Sequence, residues 1–172
     1  MRIIKIILLC ALLPVLGCGS GSSSKYSFNG TNIGNDVKTF QVNNFQNHAD
    51  VVEPGIERTF TRRLQDLIQG QTSLAPGGNN ADLVYEGEIT QYRISPMTAT
   101  ANQRTAQNRL TITVNVRFTN KKNEKDNFEK PFSFYYDYDA NKLLNGATLD
   151  SALNDIFERI TQDIFNESLA KW

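Results

Sequence analysis

Residues 110–118 read LTITVNVRF, and this stretch decides the fold class. Its apolar residues alternate strictly with polar ones, and they are Leu110, Ile112, Val114, Val116 and Phe118. Successive side chains of a β-strand point to opposite faces, so strict alternation predicts a strand with one buried face and one polar face. Such a strand belongs to a sheet that is covered on one side only.

Three further strands are predicted around this one. Residues 128–138 place alternate aromatic side chains on one face, and Pro131 removes a backbone donor in the middle of the run. We therefore expect an edge or bulged strand there. Residues 83–94 and 37–45 are the other two strands. The charged stretch 120–127 predicts a hairpin turn, and residues 95–108 are polar and poor in strand signals.

Two amphipathic helices are predicted on either side of the central strands. In residues 54–69 an apolar stripe repeats at helical spacing through Ile56, Phe60, Leu64 and Leu67, with Pro54 suited to the first turn and Gly70 to the C-terminal cap. In residues 149–169 a second stripe is preceded by Thr148 as a plausible N-cap. Its members are Leu149, Leu153, Ile156, Phe157, Ile160, Ile164 and Phe165.

The order β-α-β-β-β-α predicts an α+β two-layer sandwich, with two helices packed on one face of a four-stranded mixed sheet. A right-handed crossover makes strands 1 and 2 parallel, and strands 2, 3 and 4 form an antiparallel meander. Residues 95–108 and 139–148 are then expected at one end of the sheet. The 120–127 turn and the N-terminal segment are expected at the other end.

The N-terminal residues indicate export. Arg2 and Lys5 precede an apolar run that ends in VLGC, residues 15–18. This arrangement resembles a lipoprotein signal, which implies that residues 1–17 are a signal peptide cleaved before a lipidated Cys18. Residues 18–25 are then a flexible Gly/Ser tether, and residues 26–172 a single domain. The alternative is an ordinary secretory signal with an incidental cysteine.

The sequence offers little catalytic chemistry. His48 is the only histidine, and Cys10 and Cys18 are the only cysteines, so a Ser-His-Asp set, a Cys-His set or a zinc site is not expected. Glu86 and Glu88 could act as paired carboxylates on a glycan, but alternate residues of one strand routinely face water together. With 18 basic and 18 acidic residues the chain lacks the charge of a nucleic-acid-binding protein. We expect a non-enzyme without cofactor or metal.

Two surface features remain as candidates for binding. Basic residues flank or occupy the 95–108 and 139–148 segments and could form an anion-binding rim, or could be ordinary surface charge; they are Arg93, Arg104, Arg109 and Lys142. Tyr135, Tyr136 and Tyr138 could stack on sugars, but Tyr136 and Tyr138 fall on the predicted core face. If these tyrosines were exposed together, they would indicate a carbohydrate-binding lipoprotein that faces the periplasm, and this is the alternative function.

An ordered set of segments carries a family resemblance. YSFNGTNI (26–33), ADLVYEGEITQY (81–92), NRLTITVNVRFTNKK (108–122) and DIFNESLAKW (163–172) together resemble the LptE family of lipopolysaccharide-assembly lipoproteins. The resemblance covers nearly all of residues 26–172. It implies two helices on a four-stranded sheet and an outer-membrane lipoprotein, anchored in the inner leaflet.

The same resemblance implies a role and a partner. Family members plug the lumen of the LptD β-barrel, help it to assemble, and assist transfer of lipopolysaccharide to the outer leaflet. Lipopolysaccharide binding through basic residues at one end would involve the four residues named above. Barrel lumens are polar, so the small polar side chains of the 95–108 loop are expected to contact the barrel wall. They are Thr98, Thr100, Asn102, Thr105 and Gln107.

Overall fold

The structure is a computed structural model that describes residues 33–34, 36–51, 53–97 and 106–170. Two long helices cover one face of a mixed sheet, which confirms the α+β class. The helices are α1 (Ile56–Gln71) and α2 (Gly146–Leu169). The strands are β1 (Thr39–Val42), β2 (Gln46–Asn47), β3 (Ala75–Pro76), β4 (Leu83–Met97), β5 (Gln107–Asn120) and β6 (Phe128–Asp139).

The sheet has six strands rather than the four that were predicted. Its order is β3-β1-β4-β5-β6, and β2 also pairs with β4. The predicted strand 37–45 is confirmed only as the shorter β1, and β2 follows just beyond the predicted range; both are parallel to β4. β3 and β2 were missed because each has only two residues, too few to show an alternation.

The predicted meander is confirmed, and its hairpin is longer than expected. β4 pairs antiparallel with β5, and β5 with β6. β4 continues to Met97 and β5 starts at Gln107, so parts of the 95–108 segment lie in strands. β6 is the edge strand, and its register with β5 runs unbroken past Pro131, so it carries no bulge there.

One extra residue interrupts the β4–β5 ladder. The register shifts between Ile89 and Gln91, so Thr90 has no register partner in β5, although its hydroxyl donates to the carbonyl of Thr113 at 3.4 Å. Before this bulge Tyr85 and Ile89 are buried, and after it Tyr92 is buried. Because the bulge absorbs one residue, the apolar side chains of both halves of β4 stay on the helix side.

Both helices bury most of the stripes that their sequences predict, although Leu149 and Leu153 in the first turns of α2 are only partly buried. In α1 the buried residues include Ile56, Phe60 and Leu64, but the fourth is Ile68, while Leu67 is only partly buried. Phe60 packs edge-to-face against Phe45 at 4.9 Å and against Phe157 of α2 at 5.3 Å between ring centroids. These rings join both helices to the sheet.

The predicted end of α2 at Leu169 is confirmed, but the other three helix ends differ from the prediction. α1 starts after Gly55, whose φ of 86° favours glycine, and continues through Gly70 to a C-cap at Thr72. The Thr72 hydroxyl donates to the carbonyl of Ile68 at 2.7 Å, which satisfies one terminal carbonyl. α2 starts earlier than expected, with Asn145 rather than Thr148 at its N-cap position.

The topology gives the domain two distinct ends. The loop end contains the ends of β4 and β6 and the starts of β5, α1 and α2. The turn end contains the 120–127 turn and the first described residues. At the turn end the Asp82 carboxylate accepts hydrogen bonds from the backbone N–H groups of Lys38 and Thr39, and pairs with Lys122 at 3.1 Å. These contacts fasten the start of β1 to β4.

None of the helices in the described ranges is both long and apolar enough to cross a membrane.

Candidate functional site

The open face of the sheet, opposite the helices, is a ladder of polar side chains from β4, β5 and β6. Arg117 in β5 bridges Glu86 of β4 and Glu129 of β6, with N–O distances of 3.0 Å to each. Four residues before Arg117 in β5, the Thr113 hydroxyl donates to Gln91 at 3.1 Å and lies 3.0 Å from the Ser133 hydroxyl. Because polar side chains on neighbouring strands form hydrogen bonds and ion pairs with one another, this face is polar but carries no concentrated charge.

Arg109 lies on this face near the loop end and is held on two sides. Its Nε and Nη2 atoms donate to the two carboxylate oxygens of Asp137 at 2.7 and 2.8 Å. Its guanidinium carbon also lies 3.6 Å from the ring centroid of Tyr135. The hydrogen bonds with Arg109 lower the pKa of Asp137 and raise that of Arg109, so both groups stay charged.

The other basic candidates are less constrained. Arg93 is exposed and lies opposite Thr111 in the β4–β5 register, two positions from the Ser95–Arg109 pair. Lys142 is exposed in the β6–α2 connection, where its backbone N–H donates to the carbonyl of Asp139 at 2.9 Å. The structure thus brings Arg93, Arg109 and Lys142 to one end. Arg104 lies outside the described residues.

Most of the predicted barrel-contact residues also lie outside the described residues. These are Thr98, Thr100, Asn102 and Thr105, together with the lipidation candidate Cys18. Gln107 is described: it is the first residue of β5 and lies opposite both Met97 and Asp139. Its place at the start of the hairpin agrees with a position at the loop end.

Large exposed apolar side chains are a feature that sequence reasoning missed. Within the described ranges all of them lie at or next to the loop end, and they are Val51, Ile94, Met97, Tyr135 and Leu143. We call Val51, Ile94 and Leu143 the apolar rim; they are 56, 47 and 76% exposed. The consecutive leucines Leu143 and Leu144 were a weak signal, since only Leu144 packs against the core.

The catalytic alternatives find no support in the geometry. The Nδ1 atom of His48 lies 2.6 Å from a carboxylate oxygen of Glu88 at an exposed site, and Glu86 is engaged by Arg117. No group of three or more metal-ligating side chains converges within the part of the chain that the structure describes. The carboxylates on β4 are therefore members of the polar ladder.

The tyrosines do not form a platform for sugars. Tyr138 is buried, Tyr136 packs against the core, and only Tyr135 is exposed on the open face. Arg109 already covers one face of the Tyr135 ring. A flat stacking surface needs several exposed rings, so the arrangement does not favour the carbohydrate-binding alternative.

A groove of about 870 Å³ runs between the first halves of α1 and α2. Arg58 and Arg62 line it together with Asp66 and Asp150. The opposite charges balance, so the groove favours no ion of one sign.

Comparison with known proteins gives one family match. The family model of LptE, described as lipopolysaccharide-assembly, matches residues 37–168. No curated protein sequence matches the chain significantly.

Solved structures similar to this chain include several bacterial proteins. The hypothetical protein CT253 from Chlamydia trachomatis is 8% identical, with 77% of this chain and 98% of that chain covered and a TM-score of 0.49. A minor lipoprotein from Acinetobacter baumannii is 13% identical, with 78% and 98% covered and a TM-score of 0.44. The rare lipoprotein B from Shewanella oneidensis is 14% identical, with 74% and 89% covered and a TM-score of 0.39.

The family match begins two residues before β1 and extends into the last turn of α2, and so includes the sheet and both helices described above. The chain belongs to the LptE family of lipopolysaccharide-assembly proteins.

Proposed function

We propose that this protein is a non-catalytic outer-membrane lipoprotein that plugs and helps to assemble an LptD-type β-barrel, and assists transfer of lipopolysaccharide to the outer leaflet. The observation that carries the proposal is the family match over residues 37–168. In this proposal residues 1–17 are removed, Cys18 is lipidated, and the anchor holds the domain at the inner leaflet, facing the periplasm and the barrel lumen.

The open sheet face supports a plug. The lumen of a transmembrane barrel is polar, so a protein inside it needs a polar surface that can share water with the wall. The ladder of Arg117, Glu86 and Glu129 provides such a surface. Its charges are already paired with one another, so little net charge would face the barrel wall. In this proposal the predicted contact residues Thr98, Thr100, Asn102, Thr105 and Gln107 also meet the barrel wall.

The loop end supports contact with lipopolysaccharide. Arg93 and Lys142 are exposed there and make no ion pair with another described residue, so they are available to phosphate groups. Arg109 would act differently, because Asp137 and Tyr135 already hold its guanidinium. Its proposed role is to keep the surface beside Arg93 in place.

In vivo crosslinking tests the plug. A photo-crosslinking residue at Thr111 or Ser133, on the open face, should trap a large β-barrel, as should one at Thr100 or Thr105. The same variants in cells depleted of the barrel provide the control. Adducts only with other proteins, or none at any of the four positions, would refute the plug.

Lipidation has its own test. Cys18→Ser should leave the chain without acyl groups, which mass spectrometry of the mature protein detects. The variant should also leave the outer-membrane fraction. A wild-type chain that carries no acyl group would refute the proposed anchor without bearing on the plug.

A further inference from the structure

The helix layer separates its surface charges between its two helices. The groove between α1 and α2 balances positive and negative charge overall, but its two walls differ. Among the described lining residues, α1 contributes Arg58, Arg62, Arg63 and Asp66, and α2 contributes Asp150 as its charged residue. Further along α2, Arg159 is the exception, and it is paired with Asp163 at 3.4 Å. The groove is therefore net positive on the α1 side and negative on the α2 side.

Arg62 and Asp150 are available for contacts with another molecule. Both are exposed, and neither has an ion-pair partner among the described residues. Arg63 already makes the corresponding contact within the domain, because it donates to Asn154 at 2.8 Å and lies 3.4 Å from the Glu158 carboxylate of α2. Pairing of α1 cations with α2 acceptors is thus a contact that these two helix surfaces accommodate.

The groove also has an apolar component. Leu149 and Leu153 line it and are only partly buried, so covering the groove would remove further apolar surface from water. A single ion would match one wall and leave the leucines exposed, and a purely apolar ligand would leave the charges unpaired. The occupant that matches all three features is a protein surface with both charges and apolar side chains.

A second copy of this chain has such a surface in the required arrangement. The two helices run in the same direction, from the loop end toward the turn end, and residues at matching heights touch: Phe60 packs on Phe157, and Arg63 reaches Asn154. Let two helix layers face each other across a two-fold axis that runs along the helices. The α1 helix of each copy then lies over the α2 helix of the other, so the same contact forms twice.

The direction of the axis decides which charges meet. With the axis along the helices, the positive wall of each copy faces the negative wall of the other, and the first halves of the helices lie at the same height. With the axis in the same plane but across the helices, α1 would face α1 and like charges would meet. The first arrangement also leaves both turn ends on one side, as the proposed anchor at Cys18 would require of two copies in one membrane.

We infer that the helix layer is an interface between two copies of this chain, in which Arg62 of each copy faces Asp150 of the other and the leucines of the two grooves are covered. The inference goes beyond the proposed function. The open sheet face, which the plug would use, stays uncovered in this dimer.

The size of the surface predicts a weak dimer. The 16 residues of α1 span about 24 Å, and two adjacent helices are about 20 Å wide, so each copy would contribute about 500 Å². A total of about 1,000 Å² lies at the lower limit for a specific interface. We therefore expect an association that exchanges readily and that is favoured when a membrane confines both copies.

Disulfide crosslinking tests the arrangement. Purified full-length protein carrying Thr59→Cys, on α1, is mixed in phosphatidylcholine vesicles with differently tagged protein carrying Ser151→Cys, on α2, and oxidised. Both positions are exposed, and the linked peptides are identified by mass spectrometry. The mixed disulfide should form at least about fivefold faster than either disulfide between identical variants, because the two-fold axis places α1 over α2.

Charge reversal tests the contact itself. Arg62→Glu or Asp150→Arg, introduced into both copies, should each lower the crosslinking rate roughly tenfold, since one substitution alters two symmetric contacts. The two reversals together should restore a rate close to the original, because opposite charges then face each other again. Lys125→Glu, at the turn end, is the charge-matched control and should leave the rate unchanged. Circular dichroism and a urea titration verify that every variant is folded.

Three results would each overturn the inference. These are equal rates for the mixed and the identical pairs, absence of the mixed disulfide from folded protein, and failure of the combined reversal to restore the rate. None of them bears on the plug, since that proposal is tested by adducts between the open face and a barrel.

Discussion

Arg109 and Asp137 join β5 to β6 through two parallel hydrogen bonds of 2.7 and 2.8 Å. Such bidentate pairs are stronger and more directional than single-contact ion pairs. The pair lies in the same row of the sheet as Ser95, close to the end of the β4–β5 hairpin. It therefore fixes the edge strand at the loop end.

Replacing Arg109 should loosen that end. Arg109→Gln removes the bidentate pair and the contact with Tyr135, so the urea midpoint of unfolding should fall and amide exchange should accelerate in residues 133–139. Arg93→Gln is the control, since Arg93 has no ion-pair partner among the described residues. Equal effects of the two substitutions would contradict a structural role for the Arg109–Asp137 pair.

Acid should destabilise the protein through Asp82. Its pKa is lowered, first by the hydrogen bond from the backbone of Lys38 and then by Lys122, so folding favours the ionised form. The resulting stability is complete above the unfolded-state pKa of about 4 and is lost as the pH falls below it. Asp82→Asn should therefore be less stable at pH 7 and show a flatter stability profile between about pH 5 and pH 2.

The control for this pH profile is Asp155→Asn. Asp155 is exposed on α2 and has no ion-pair partner within the described ranges. Its profile, measured by urea unfolding across the same pH values, should parallel that of the wild type. A wild-type slope in the Asp82→Asn variant would show that the contacts of Asp82 with β1 and Lys122 do not contribute to acid sensitivity.

Two glycines should respond to alanine with opposite signs. A Cβ atom at Gly87 would collide with the backbone carbonyl oxygen of Asn115 and lie 2.9 Å from the Phe45 ring, so Gly87→Ala should cost about 1–3 kcal/mol. Gly70 lies in the last turns of α1 with nothing within 4 Å of such an atom, so Gly70→Ala should stabilise by roughly 0.5–1 kcal/mol. Urea unfolding of both variants measures the difference; wild-type or higher stability of Gly87→Ala would refute the close approach at Gly87, and destabilisation by Gly70→Ala would refute the open space at Gly70.

Pro131 should protect the open edge of β6. The β5–β6 register is unbroken there, and a proline fits an edge strand where its nitrogen faces away from the neighbouring strand, so we expect Pro131 to remove a donor from the free edge. Pro131→Thr restores that donor and should increase self-association, which light scattering at rising protein concentration measures. Ser133→Thr, two positions along the same strand, is the control and should remain as monodisperse as the wild type.

The sequence predicted those elements whose periodicity extends over several turns or residues. Alternation in residues 110–118 and the stripe through Phe60 and Leu64 reflect burial of one face, which a single sequence records directly. β2 and β3 were not predicted, because a strand of two residues is too short to show an alternating pattern. The ends of α1 were predicted two residues away from their positions. They depend on the backbone conformation at Gly55 and on the hydrogen bond made by Thr72, and the hydrophobic pattern specifies neither.

The surface was harder to predict than the core. Chain order alone brought Arg93, Arg109 and Lys142 to one end. Whether each cation is paired depends on the strand register, which places Arg109 opposite Asp137 but Arg93 opposite Thr111. Burial of Leu144 beside an exposed Leu143 likewise depends on how the connection leaves β6, and no pattern in two consecutive leucines distinguishes them.

The bulge at Thr90 also bears on the shape of the whole sheet. A β-bulge bends its strand and increases the local twist, so we expect the two halves of β4 to lie at an angle to each other. The polar ladder would then be a curved surface instead of a plane. In the proposed role as a plug, such a curve would suit contact with the inside of a cylindrical barrel, a geometry that a regular hairpin would lack.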